Sequence, residues 1–178
     1  MAPQLRVRSA RGDDAAEMAR VNVQSWRETY RGLMADDVLD DPELLGRRER
    51  FWTDILTDER YRANHVAVAE LGGRMIGIAM AAPTEGDDAR WAMRLYVLYV
   101  VAVEHGSGAG GELLDAVIAP QDSALLWVAD PNPRAQAFYR KHGFVADGNV
   151  SVEAGVRAIR MVRATDAART RVADAEAR

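Results

Sequence analysis

The sequence predicts a mixed α/β domain, a central sheet of about six to seven strands flanked by about four helices. Three observations lead there. Short runs such as "QLRVRSA" alternate apolar with polar residues, the mark of a half-buried strand. Ala16, Ala19, Val23, Trp26 and Tyr30 instead recur at spacings of three and four, one face of an amphipathic helix. Along the chain these patterns run as strand, two helices, three strands, helix, strand, helix and two strands, which gives an antiparallel beginning with one parallel crossover.

Each element has its own reason. Leu5 and Val7 mark the first strand, and Asp13 and Asp14 sit where negative charge favours a helix start. Gly32 can end that helix. A second helix is expected from Pro42 through "ELLGRRERFWTDIL", with proline in its first turn. "HVAVAEL" and "RMIGIAMAA" flank Gly72 and Gly73, a pair suited to a hairpin turn with positive φ. "PTEGDDAR" reads as a polar loop, and "WAMRLYVLYVV" as the central strand, its unbroken apolar second half expected to be buried on both faces. Then come a glycine-rich turn with the helix "ELLDAVIA", the strand "ALLWVAD", the helix "NPRAQAFYRKHG", and the closing strands "FVADGNVSV" and "VRAIRMVR". Residues 1–164 form the expected domain, and residues 165–178 a charged C-terminal tail.

Composition narrows the function. A net charge of −4 over 178 residues argues against a nucleic-acid backbone binder, which would show a basic face. No cysteine is present, so there is neither a disulfide framework nor a thiol nucleophile, and the chain suits a reducing compartment. The amino terminus lacks a signal-peptide core, and the longest apolar run falls well short of the ~18 residues that span a bilayer. The expectation is a cytoplasmic protein without a membrane partner. His65, His105 and His142 show no paired metal-ligand spacing, and no metal is expected.

The segment "EHGSGAGG" carries the chemistry. Glycine lets backbone N–H groups approach a phosphate closely, and the positive end of the following helix favours the anion. Gly106, Gly108 and Gly111 match the G-x-G-x-x-G spacing of a dinucleotide turn, and Asp130 lies about 20 residues beyond, where a ribose-binding acid is expected. A nicotinamide-dependent oxidoreductase is therefore one reading. Against it, an antiparallel hairpin precedes the loop, and only one further helix and a closing strand pair follow. No Gly-Lys-Ser/Thr follows the glycines, which excludes a nucleotide triphosphatase loop.

His105, Gly108 and Gly110 after a long strand, with the Ala-x-x-Phe-Tyr-x-x-x-Gly-Phe pattern from Ala135 to Phe144 downstream, resemble the GNAT superfamily of acyl-CoA-dependent N-acyltransferases, bacterial type. "SWRETYRG", containing Trp26 to Gly32, resembles the first-helix segment of many bacterial members, which lines the acceptor side. The likeness covers about residues 5 to 163, and His105 stands where Arg or Gln is usual.

The resemblance implies the GNAT fold and an N-acetyltransferase that moves acetyl from acetyl-CoA to a primary amine, on a small molecule, peptide or protein, by direct attack in a ternary complex. It assigns the CoA pyrophosphate to His105, Gly106, Ser107, Gly108, Ala109 and Gly110, and the pantetheine arm to backbone groups of Tyr99, Val100 and Val101, freed where the central strand splays from its parallel neighbour. Asn132 and Phe138 join the cofactor side, and Asn132 also suits a helix N-cap ahead of Pro133. Trp26, Tyr30 and Arg94 fall to the acceptor side; arginine at 94 replaces the Glu of many members and favours an acceptor bearing negative charge. Tyr139 is the implied general acid. With a phenol near 10 and a thiol near 8.5, protonating the leaving thiolate is uphill by only about 2 kcal/mol. A non-catalytic acyl-CoA-binding module is the alternative, and a homodimer through the closing strands is compatible with the pattern.

Overall fold

The computed structural model describes residues 3–153 and 155–165. From residue 166 on, the expected tail lies outside the described residues. Seven strands, β1 (Leu5–Ser9), β2 (His65–Leu71), β3 (Arg74–Pro83), β4 (Met93–Val100), β5 (Ala124–Ala129), β6 (Val145–Glu153) and β7 (Val156–Arg163), form a mixed sheet in the order β1-β2-β3-β4-β5-β7-β6. The α-helices among the described residues are α1 (Ala15–Tyr30), α2 (Asp36–Leu39), α3 (Leu44–Thr57), α4 (Ala109–Val117) and α5 (Pro133–Lys141). The chain divides into two compact units, one built from the residues up to Ala82 with Tyr96–Val117, the other from Pro83–Leu95 with the residues from Ile118 on.

In the first unit β1, β2 and β3 pair antiparallel, and Gly72 (φ +60°) and Gly73 (φ +82°) make the expected hairpin turn. Met18 and Ala19 of α1 and Trp52 of α3 are fully buried where the two helices pack, each large side chain contributing roughly 1.5–3 kcal/mol of apolar burial. The Trp52 indole N–H donates to Asn22 Oδ1 at 3.2 Å, which satisfies it in that core. Leu113, Leu114 and Val117 bury one face of α4, which packs on β1 and β2. Gly77 of β3 permits this closeness, since a Cβ there would lie 2.8 Å from Leu113 Cδ1 and 2.9 Å from the Tyr99 carbonyl. Arg8 of β1 clamps Asp14 at 2.7 Å and Glu70 of β2 at 2.6 Å.

In the second unit Met93–Leu95 pair parallel with Ala124–Leu126, the expected crossover, while β7 runs antiparallel to both β5 and β6. Leu125, Leu126, Phe144 and Met161 form its core. Arg163, only 6% exposed, donates to the Ala119 carbonyl at 2.9 Å and lies 4.9 Å over the Phe144 ring. Asn132 caps α5 by accepting from the Ala135 N–H at 3.2 Å, Pro133 opens the helix, and Arg140 and Lys141 close it with positive charge.

Three local expectations need correction. Helix α3 begins at Leu44 instead of Pro42, because Asp41 Oδ1 accepts the Glu43 N–H at 2.8 Å and its carbonyl accepts the Leu44 N–H, so proline sits in a turn before the helix. The short α2 was not expected; Arg31 holds it by pairing with Asp36 at 2.9 Å and Asp40 at 2.8 Å. The second half of β4 is not buried on both faces: Tyr96 is 50% exposed, and Val97 to Val100 are half-buried. That half borders an open cavity.

Candidate active site

The cavity, about 460 Å³, belongs to the first unit and is lined by α1 (Asn22, Trp26), α3 (Arg48, Phe51, Ile55), Tyr61 and Asn64, the end of β3 (Met80, with Ala82), and β4 (Tyr96, Val97, Tyr99). Helical spacing explains the first two walls: Asn22 and Trp26 are four apart, and Arg48, Phe51 and Ile55 are spaced three and four. The Trp26 indole N–H donates to the Tyr99 hydroxyl at 3.0 Å, joining α1 to β4 across one wall. Tyr30 meets Trp26 edge-on, with ring centroids 6.2 Å apart, and backs that wall without being part of the lining. The Arg48 guanidinium lies 4.9 Å over Trp26 and 5.0 Å over Phe51, and burial lowers its pKa from the usual arginine value.

Beyond β4 the chain turns into the glycine loop. Gly106 (φ +90°) and Gly108 (φ +92°) adopt the left-handed backbone that glycine accepts without strain, and α4 starts at Ala109. A Cβ on either glycine would meet nothing within 4 Å, so the loop surface is open. The Ser107 hydroxyl oxygen accepts the Ala109 N–H at 3.4 Å. His105 turns back on the strand, its Nε2–H donating to the Val100 carbonyl at 2.8 Å and tying the loop to the end of β4. The Val101 N–H donates to the Ile76 carbonyl at 2.9 Å, so that group is engaged with β3, and strand alternation turns the Val100 backbone the other way. Glu28 of α1 accepts the Ala102 N–H at 2.8 Å, a brace between the first helix and the approach to the loop. The neighbouring Glu104 pairs with Arg74 at 2.6 Å, which offsets its negative charge beside the glycine turn.

The second unit holds the remaining expected residues. Tyr139 is 8% exposed, edge-on to Phe138 at 5.3 Å and to Phe144 at 5.9 Å between centroids, and its carbonyl accepts the Phe144 N–H. Phe138 stacks on His142 at 4.3 Å, and Gln136 Nε2 donates to the Ala129 carbonyl at 3.3 Å, holding α5 to the end of β5. Arg94 is half-buried on β4, in register with Leu125.

A family model described as an acetyltransferase (GNAT) domain matches residues 36–164. The chain belongs to the GNAT acetyltransferase family. Its relatives agree with this membership. A probable N-acetyltransferase of Mycobacterium tuberculosis is 28% identical over 148 residues, covering 81% of this chain and 82% of the relative. An N-acetyltransferase of Bacillus subtilis is 30% identical over 158 residues, covering 85% and 87%. Among solved structures, the PaiA N-acetyltransferase of Thermoplasma acidophilum in complex with coenzyme A superposes with a TM-score of 0.67 at 16% identity, over 88% of this chain and 98% of that one, a likeness of fold. This GNAT chain is an acetyltransferase, and the nicotinamide reading of its glycines gives way. Asp130, the expected ribose acid of that reading, is paired instead with Arg157.

The reading from residue patterns missed Asn22, Arg48, Phe51, Tyr61 and Asn64 as cavity residues. The one usable signal was helical: Arg48 and Phe51 fall on the same face of α3 as the buried Trp52 and Ile55 border it.

Proposed function

We propose that this GNAT enzyme transfers acetyl from acetyl-CoA to a primary amine by direct attack within a ternary complex. The observation that carries the reading is the open turn at Gly106 and Gly108, leading into α4 at the end of β4. Such a turn offers backbone N–H groups and the positive helix end to a pyrophosphate. In this reading His105, Gly106, Ser107, Gly108, Ala109 and Gly110 receive the diphosphate, with His105 keeping the loop in place through Val100. Backbone groups of Tyr99, Val100 and Val101 serve the pantetheine arm, although the Val101 N–H is committed to β3 and its carbonyl already accepts the Glu104 N–H. The family resemblance assigns Asn132 and Phe138 to the cofactor as well, and Asn132 holds the start of α5.

The aromatic cavity of the first unit takes the acceptor, with Trp26 in its wall, Tyr30 behind it, and Arg94 as a further acceptor-side group. Amine attack on the thioester forms the amide bond, the carbon–sulfur bond breaks, and Tyr139 gives its proton to the departing thiolate. The amine attacks in its neutral form, its nitrogen loses one proton to solvent as the amide forms, and solvent returns a proton to the Tyr139 phenolate. If two copies of the chain associate, the β6 edge supplies the surface, where Val145, Val150 and Val152 are exposed.

Thiol release from acetyl-CoA across a panel of amines and peptides tests the reading. General acid catalysis is commonly worth about 10²–10⁴-fold, so Tyr139→Phe is expected to keep acetyl-CoA affinity and lose at least ~10²-fold in turnover. Full turnover in that variant removes Tyr139 as the acid. Tight acetyl-CoA binding with no thiol release across the panel would make the chain a binding module, and binding of NADH alone would overturn the cofactor.

A further inference from the structure

Several arginines of this chain are matched to acids. Arg8 holds Asp14 and Glu70, Arg31 holds Asp36 and Asp40, Arg47 holds Asp41, Arg74 holds Glu104, and Arg160 holds Asp88 and Asp147. Arg48 departs from that habit. Among the described residues it has no ion pair, and its buried Nε–H meets no acceptor. Its flat cation lies against the faces of Trp26 and Phe51. Aromatic faces offset part of the cost of removing a charge from water, but they leave the buried Nε–H without an acceptor. Arginine stays protonated at any working pH, so the positive charge is permanent.

A second donor in the same cavity is unsatisfied. Asn22 is 1% exposed; its Oδ1 accepts from Trp52, while its Nδ2 has no partner among the described residues. Buried amide hydrogens are seldom left unpaired, because each one costs about 1–3 kcal/mol. Among the described residues no Asp or Glu lines the cavity, and the rings of Trp26, Phe51, Tyr61, Tyr96 and Tyr99 stand in its walls beside Ile55, Met80 and Val97. Its volume of about 460 Å³ falls within the ~300–1,000 Å³ usual for small-molecule sites. Acid-free, donor-bearing and aromatic, it disfavours a polycation and suits an anion on an apolar body. A carboxylate has two acceptor oxygens, enough to answer a guanidinium and a primary amide together.

We propose that the acceptor amine carries a carboxylate on an apolar or aromatic body, as an amino acid does, and that Arg48 and Asn22 bind that carboxylate. The proposal rests on the acceptor reading of this cavity and names its substrate class.

Calorimetric titration of the full chain with matched pairs tests it without relying on turnover: 3-phenylpropionate against 3-phenylpropanamide, and phenylalanine against phenylalaninamide. Charge-assisted hydrogen bonds predict that the carboxylate member of each pair binds about ten-fold tighter or more. In Arg48→Gln that ratio should fall towards one, and Arg48→Lys should keep part of it. Thermal melting establishes that both variants fold; should Arg48→Gln fail to fold, the wild-type ratio and Arg48→Lys decide. Equal or tighter binding of the amides, no measurable binding of either member, or an undiminished ratio in Arg48→Gln overturns the proposal. Thiol release with the same amines is scored separately. Its failure alongside a carboxylate preference would remove acetyl transfer and leave this binding assignment standing.

Discussion

Replacing Gly77 by alanine puts one methyl group where three atoms already crowd. The new Cβ would lie 2.8 Å from Leu113 Cδ1, 2.9 Å from the Tyr99 carbonyl oxygen and 3.1 Å from Val100 Cγ2. Leu113 is fully buried and has little room to rotate, and the carbonyl cannot retreat unless β4 moves with it. Overpacking of this kind costs about 1–3 kcal/mol, and the lower entropy of an unfolded chain with alanine returns about 0.4–1 kcal/mol. The net loss is about 1–2 kcal/mol. For a domain of this size, at roughly 2–4 °C per kcal/mol, the melting temperature should drop by about 2–8 °C. Because Tyr99 supplies the hydroxyl that Trp26 bonds, Gly77→Ala should also raise the KM for the acceptor. Gly46→Ala is the internal control. That glycine lies inside α3, its added Cβ would meet only Arg50 at 3.5 Å, and alanine there should gain about 0.5–1 kcal/mol. Differential scanning calorimetry of the two variants reads the opposed signs. A Gly77→Ala protein that melts at or above the wild type would refute the account of how α4, β3 and β4 fit together.

Two further outcomes can be checked on the same material. The hydrogen bond from Arg8, helped by the Arg11 N–H, holds the Asp14 carboxyl below its ordinary 3.8. A depressed pKa gives stability that is full above the unfolded value and is lost as pH falls through the folded one. Asp14→Asn should therefore melt lower than the wild type at neutral pH by about 1–3 kcal/mol, a gap that narrows in denaturant titrations taken below pH 3.8; a pH-independent gap would contradict the charge pairing. His105→Ala removes the tie to the Val100 carbonyl, worth about 0.5–1.5 kcal/mol, and should weaken acetyl-CoA binding about 2- to 10-fold in calorimetry. Unchanged affinity would mean that the loop holds its shape without the imidazole.

What could be read from residue patterns was whatever depends on neighbours in the chain. The Gly72–Gly73 turn, the glycine-rich turn ahead of α4, and the Asn132–Pro133 helix start each follow from the backbone chemistry of a few neighbouring residues. The antiparallel start and the parallel β4–β5 pair followed from element order. Elsewhere, side chains from distant positions decided the outcome. Helix α2 is too short to show a period, and it is stabilised by Arg31, which lies outside it. Pro42 was displaced from α3 by a local competition that Asp41 won. The apolar second half of β4 looked like buried strand because its sequence cannot record that the side facing α1 and α3 is open. Arg48 was hidden most thoroughly. In an arginine-rich chain nothing in the spacing marks the guanidinium whose Nε–H is buried without an acceptor.

The basic last turn of α5 has a practical consequence for anyone handling the enzyme. Lys141, exposed at that turn, is the only lysine in the 178 residues, since arginine supplies every other fixed side-chain cation. An acetyltransferase kept with its acyl donor usually risks modifying its own surface amines. Here that background has a single side-chain address. Acetyl appearing on lysines in a mixture of proteins therefore belongs to the acceptors, and one tryptic peptide is enough to follow the enzyme's self-modification.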